Sequence, residues 1–218
     1  MQYQAVVFDM DGVIFDTERL VIEFWKEVAK KHNIPNIEHT CIQCLGTNRV
    51  RTREIFLENY GADFPYDPYR AEVTELFDTH YKGVPLPTKP GIRELLNYLQ
   101  EQDIKVGLAS STAQHLVRDE IGTAGLLPYF QTLVCGDMVE HSKPAPDIFL
   151  KACEILNADP TKSIAIEDSF NGIRSAHCAG MTPIMVPDQV QPTDEIRTLA
   201  FHVMPSLLDV LNWLKTLA

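Results

Sequence analysis

Two aspartates one residue apart, Asp9 and Asp11, follow the apolar run Val6-Val7-Phe8 and precede Gly12. Carboxylates this close repel each other, and a bound cation relieves the repulsion. A hard cation that takes oxygen ligands and keeps several waters suits magnesium and a phosphate substrate. Three further polar clusters lie downstream: Ser110-Ser111, His141-Ser142-Lys143-Pro144-Ala145-Pro146, and Glu167-Asp168-Ser169. Hydroxyls and backbone N–H groups at Ser110 and Ser111 could hold an anion at a helix start. Lys143, in a rigid proline-rich loop, could stabilise the charge of a phosphoryl group in transfer. Glu167 and Asp168 could complete a cation site with Asp9. Each cluster also has a plainer reading. Asp-Gly makes turns, serine caps helices, a lone lysine sits on the surface, and acids favour helix starts.

The elements that must position these residues can be read from periodicity. Val6–Phe8, Lys105–Ala109, Thr132–Val134, Ser163–Ile166 and Pro183–Val186 read as short buried strands. Ile92, Leu95, Leu96 and Leu99 make one helix face, and Leu207, Leu208, Leu211 and Leu214 another. A helix opens at Pro146, with Ile148, Phe149, Ala152, Ile155 and Leu156 on its face, and another runs from Phe170 to near Gly180. Ser111 and Gln114 have the spacing of a capping box. Strands alternating with helices imply an α/β protein with a doubly wound parallel sheet. Residues 17–82 show no strand pattern. They read as helices around Leu20–Val28, Val50–Asn59 and Tyr69–Tyr81, closed by the Pro-rich connector Gly83–Pro87. The expected organisation is therefore an α/β core of residues 1–16 and 84–218 with a small helical domain of residues 17–83. Leaving and re-entering the core gives two crossings, the arrangement a hinged cap needs.

At 218 residues and 45% hydrophobic content the chain can bury a substantial core. A net charge of −11 argues against a nucleic-acid or anionic-membrane surface, though not against a local phosphate site. Residues 1–8 lack a basic region, and no apolar run approaches the roughly 20 residues that span a bilayer, so a cytoplasmic protein is expected. The five cysteines are scattered. Cys41 and Cys44 form one C-x-x-C without a second pair at zinc spacing, and read as ordinary thiols. A monomer is the default expectation.

The four clusters occur in a fixed order, each at the carboxyl end of an expected strand. In this they resemble the haloacid dehalogenase superfamily of phosphoryl-transfer enzymes, across essentially the full length. The strings Asp9-Met10-Asp11-Gly12-Val13, Lys143-Pro144-Ala145-Pro146-Asp147 and Glu167-Asp168-Ser169-Phe170-Asn171-Gly172 are similar to the branch with a helical cap after the first strand. That branch contains β-phosphoglucomutase and many sugar-phosphate phosphatases. The resemblance implies a Rossmann-like core, a magnesium cofactor and a small phosphorylated metabolite as substrate. It implies Asp9 as nucleophile and Asp11 as general acid and then base, with Asp11 adding a backbone carbonyl to the metal. Ser110 and Lys143 would hold the phosphoryl oxygens. Asp168, with Glu167 directly or one step removed, would complete the metal site.

Asp11 argues against carbon–halogen hydrolysis, since the dehalogenases that named the superfamily lack an aspartate there. Between hydrolysis and a mutase reaction, two positions decide. Where β-phosphoglucomutase has a cap histidine this chain has Val21, and where it has a lysine before the cap glycine this chain has Leu45 before Gly46. Both changes remove polar groups that hold a bisphosphate. Arg49 does match a family arginine, and is a candidate substrate-binding residue. A phosphatase is the expectation. The alternatives are a phosphoglucomutase-like phosphotransferase and a non-catalytic phosphometabolite-binding protein.

Overall fold

The computed structural model describes residues 3–217. The first strand, β1 (Ala5–Phe8), is wholly buried and sits inside the sheet. A strand covered on both faces needs a continuous apolar run rather than an alternating one. Val6 and Phe8 pack under α5 (Ile92–Glu101), α6 (Gln114–Thr123) and α10 (Leu207–Lys215). Ala5 and Val7 pack under α7 (Asp147–Leu156) and α8 (Phe170–Cys178). On α5 the leucines Leu95, Leu96 and Leu99 are fully buried. Burying each contributes about 1.5–3 kcal/mol.

The other strands are β2 (Lys105–Ser110), β3 (Thr132–Cys135), β4 (Ser163–Glu167), β5 (Thr182–Met185) and β6 (His202–Val203). All pairings are parallel, in the order β3-β2-β1-β4-β5-β6. Phe8 lies opposite Leu108 on one side and Ile166 on the other. The next residues, Asp9, Ala109 and Glu167, therefore come level at one edge. The strand order reverses beside β1, and ligands of such sheets bind in the crevice at that reversal.

Between β1 and α5 the chain forms four helices, α1 (Thr17–His32), α2 (Ile37–Cys44), α3 (Arg49–Tyr60) and α4 (Tyr66–Tyr81). They share an apolar cluster of their own, in which Trp25 packs 4.5 Å from Phe56. No helix among the described residues is long and apolar enough to cross a membrane.

Several local readings change. The helix after β2 starts at Gln114 with no side-chain cap from its own segment. Its first N–H donates instead to the Asp137 carboxylate, at 3.1 and 3.3 Å, so Ser111 and Gln114 form no capping box. Helix α4 begins at Tyr66 and takes in Pro68, because a first-turn residue needs no N–H donor. Asn33 and Asn36, both at φ 55°, separate α1 from α2, a helix that was not expected between Val28 and Val50. Ile155 is half exposed, and Cys153 takes its place on the buried face of α7. Helix α9 (Asp194–Leu199) and strand β6 were not expected.

Candidate active site

Asp9 directly follows β1, and its N–H donates to the Ile166 carbonyl of β4 at 2.9 Å. Lys143 reaches the same point from the loop before α7. Its Nζ donates to Asp9 Oδ1 at 2.5 Å, to Glu167 Oε1 at 2.5 Å and to the Ala109 carbonyl at 3.0 Å. The ammonium also lies over the Phe149 ring, 5.2 Å from its centre. Its side chain is 1% exposed, so this ion pair does not share the weakness of surface pairs. Burial works against the lysine's charge, but Asp9 and Glu167 outweigh it and hold the ammonium above its ordinary range.

Glu167 ends β4 and is fully buried. Its second oxygen accepts from the Asp168 N–H, the Ser169 N–H and the Ser169 hydroxyl, at 3.0–3.1 Å. Ser169 in turn caps α8 by accepting from the Gly172 N–H. Asp168 is buried too, and its Oδ2 has no hydrogen-bond partner among the described residues. That oxygen lies over Gly12, where a Cβ would stand 2.2 Å from it. Gly12 also has φ +81°, so the turn and the close approach both require glycine.

Carboxylate oxygens of Asp9, Glu167 and Asp168 lie within 4.8 Å of one another. Burial pushes Asp9 up to about 8 against the pull of Lys143, with Glu167 and Asp11 adding to the rise. Burial, then Glu167 and other carboxylates, push Asp168 well up. Two like charges about 4 Å apart repel by about 4 kcal/mol at an effective dielectric of about 20. An all-oxygen donor set with one orphaned buried oxygen fits a hard divalent cation.

Asp11 is placed differently. Its Oδ1 accepts from the Thr17 hydroxyl at 2.5 Å and its Oδ2 from the Thr112 hydroxyl at 3.0 Å. Its carboxylate is thus turned away from the acidic trio. Burial raises the carboxyl, and the two hydroxyls oppose the rise. Thr112 also donates its N–H to Ser110 Oγ at 3.1 Å, tying the turn after β2 to Asp11. Ser110 is fully buried at the strand end, and the Ser111 backbone packs against Gly136.

The fold thus gathers Asp9, Asp11, Ser110, Lys143, Glu167 and Asp168 at three adjoining strand ends. Arg49 is not among them: its side chain is 76% exposed and stands 4.0 Å from Asp67. Four residues near the site carry no readable spacing. Thr112 braces Asp11, and Glu18, in the first turn of α1, is pushed well up by burial and then by Asp11 and Asp9. Asn48 caps α3 and donates Nδ2–H to Ser142 Oγ at 3.0 Å, joining insert to core. Arg51, rather than Arg49, lines a cleft of about 520 Å³ with Asn48, Ser142, Lys143 and Asn171. A cleft of equal volume, lined by Met138, Leu150 and Lys151, takes in none of the strand-end residues. Gly46 seats the insert on the core, since a Cβ there would lie 2.4 Å from Ser169 Oγ. His141 pairs at the surface with Asp147. Cys41 and Cys44 are free thiols that burial pushes up.

Comparison with known proteins adds the family. Residues 6–186 match the haloacid dehalogenase-like hydrolases. A phosphorylated carbohydrates phosphatase of Thermotoga maritima is 33% identical over 181 residues, 83% of each chain. A β-phosphoglucomutase of Bacillus subtilis is 34% identical over 199 residues, 87% of this chain and 85% of that one. The crystal structure of CbbY from Rhodobacter sphaeroides, in complex with phosphate, superposes with a TM-score of 0.76. It covers 95% of this chain and 96% of that one at 24% identity, a likeness that speaks to the fold. The family match runs from the first strand to just past the fifth, through every element that supplies the gathered residues, and on that ground the chain belongs to the haloacid dehalogenase-like hydrolases.

Proposed function

We propose that this chain is a magnesium-dependent phosphatase that hydrolyses a small phosphorylated metabolite through an aspartyl-phosphate on Asp9. It is a hydrolase of the phosphatase kind, and the relatives that support this act on phosphorylated carbohydrates by name. The observation that carries the reading is the buried Lys143 ammonium bonded to both Asp9 and Glu167, beside the orphaned Asp168 oxygen. A carboxylate nucleophile needs a fixed cation beside it to approach an anionic phosphate.

In the first step an Asp9 oxygen attacks phosphorus, and the bond from phosphorus to the leaving alcohol oxygen breaks. Asp11 gives its proton to that oxygen. In the second step Asp11 takes a proton from water, whose oxygen attacks phosphorus, and Asp9 leaves with inorganic phosphate formed. The burial that raises Asp11 favours the protonated form with which the first step starts. Thr17 and Thr112 hold that carboxyl in place. Lys143 and the Ser110 turn would bind the phosphoryl oxygens. Asp9, the Asp11 carbonyl, Asp168 and Glu167 would hold the magnesium ion, which supplies charge neutralisation of the phosphate when bound.

The likeness to a β-phosphoglucomutase favours a second reading, transfer between two positions of one sugar. Val21 and Leu45 weigh against it. Phosphate release across a panel of phosphorylated metabolites, with and without magnesium, separates the readings. Glucose 1-phosphate with a trace of its 1,6-bisphosphate, assayed for glucose 6-phosphate, belongs in the panel. Magnesium-dependent release that falls about a thousandfold or more in Asp9→Asn is the expected result. Isomerisation with little free phosphate would mean a mutase. Folded protein silent in both assays would mean a binding role.

A further inference from the structure

The helical insert joins the core through two crossings, Ile14–Asp16 outward and Pro87–Lys89 inward. They pair as a short antiparallel ladder. Phe15 bridges Thr88, the Asp16 N–H donates to the Pro87 carbonyl at 2.9 Å, and the Lys89 N–H donates to the Ile14 carbonyl at 2.8 Å. One side chain ties this ladder to the core. Lys89 Nζ donates to Asp188 Oδ1 at 2.7 Å and stands 3.7 Å from Asp16 Oδ1. Asp188 comes from the loop after β5. Its side chain is 6% exposed, and its Oδ2 is buried without a hydrogen-bond partner among the described residues. Asp16 is held further by Arg19 of α1 at 2.7 Å. The charges thus alternate from the first helix of the insert, through both crossings, into the core.

Exposed ion pairs contribute little, but this lysine and Asp188 are mostly withdrawn from water. Removing Lys89 would leave the Asp188 carboxylate buried with its bonded partner gone, a costly state. Hinges are a few element-end residues that absorb backbone rotation, so a charge fixed across them sets their angle.

We propose that Lys89 and Asp188 form a charge clamp on the two crossings and act as positioning residues that hold the insert over Asp9 and Asp11. The link to the chemistry is Thr17, the residue after Asp16, whose hydroxyl bonds Asp11 Oδ1. Rotation of the outward crossing draws that hydroxyl off the acid. The effect on turnover rests on the phosphatase reading; the effect on the crossings does not.

The test compares Lys89→Met, Lys89→Arg and Asp188→Asn with the parent chain. Asp188→Asn is nearly the same shape, and keeps the test open if Lys89→Met does not fold. Hydrogen exchange is followed at the segments that hold the Asp16 and Lys89 amides, and phosphate release on the best substrate of the panel. Both crossings should exchange about tenfold faster in Lys89→Met and Asp188→Asn. The same variants should lose about tenfold in kcat/KM, with KM raised and kcat lowered together. Lys89→Arg should stay within about twofold of the parent in both readouts. Exchange within about twofold of the parent in both charge-removing variants would overturn the clamp. So would a Lys89→Arg variant as impaired as Lys89→Met. If the parent releases no phosphate but the exchange pattern holds, the phosphatase reading fails and the clamp stands.

Discussion

Replacing Gly172 by alanine puts a methyl group where the Glu167 carboxylate already lies. The added carbon would stand 1.8 Å from Cδ, 1.9 Å from Oε1 and 2.1 Å from Oε2. Ordinary contact begins near 3.4 Å, so the carboxylate must retreat by about 1.6 Å. Glu167 cannot move that far and keep its partners. Oε1 holds Lys143, and Oε2 accepts the Asp168 N–H, the Ser169 N–H and the Ser169 hydroxyl. Hydrogen bonds to a charged group contribute about 1.5–3 kcal/mol each, so losing two of the four lowers stability by about 3–6 kcal/mol. Lys143 loses one of its two anchoring carboxylates, and phosphate release should fall with it. Gly122→Ala is the control. Gly122 lies in α6 with open space where its Cβ would go. There alanine should stabilise by about 0.4–1 kcal/mol, because it removes freedom from the unfolded chain. Urea unfolding followed by tryptophan fluorescence reads both. A Gly172→Ala variant that loses under about 1 kcal/mol and keeps its activity refutes the packing argument.

Lys143→Met should lower stability by about 3–5 kcal/mol, since Asp9 and Glu167 are left buried without their counter-charge. Phosphate release should fall about a hundredfold or more; a urea midpoint near the parent's would show that the lysine does not balance these acids. Glu120, half-buried on α6, has its carboxyl pushed up to about 8 by burial, then Asp11 and Asp119. The folded protein then keeps a proton that the unfolded chain releases, so this glutamate makes stability fall as pH rises from about 4.5 through about 8. Glu120→Gln should flatten that part of the stability–pH curve, and an unchanged slope would count against it.

Strands β1 to β5 are legible because each carries several apolar residues that are buried in the sheet. Strand β6 is not. It has two residues, His202 and Val203, too few for any period, and it exists through its pairing with Ile184 and Met185. The start of α6 shows the same limit in another form. Ser111 and Gln114 have the right spacing for a local cap, yet Asp137, from beyond β3, takes the position. A cap supplied across the fold leaves no local pattern. Helix α9 had a signal that could have been used: Thr193 caps it, and Asp194 and Glu195 fill its first turn.

The site divides along the same line. Asp9, Glu167 and Asp168 are legible because charged residues directly after apolar strands need a reason to be there, and Lys143 because its proline loop falls in order between them. Glu18, Thr112 and Asp188 are polar residues in ordinary surroundings, and only the fold turns them inward. What the structure adds is a count of charge. One ammonium bonds Asp9 and Glu167 in a buried space, an Asp168 oxygen lies within 4.8 Å of theirs, and Asp11 adjoins them. One lysine cannot keep all these acids ionised, since burial drives carboxyls toward their neutral form. Thr17 and Thr112 bind Asp11 without bringing charge, which leaves it suited to carry a proton. Among the described residues Asp9 and Asp168 have no such neutral brace, so a divalent cation at the trio is what would keep Asp9 charged. This imbalance of charge, beyond family likeness, is what a magnesium ion at the trio would relieve.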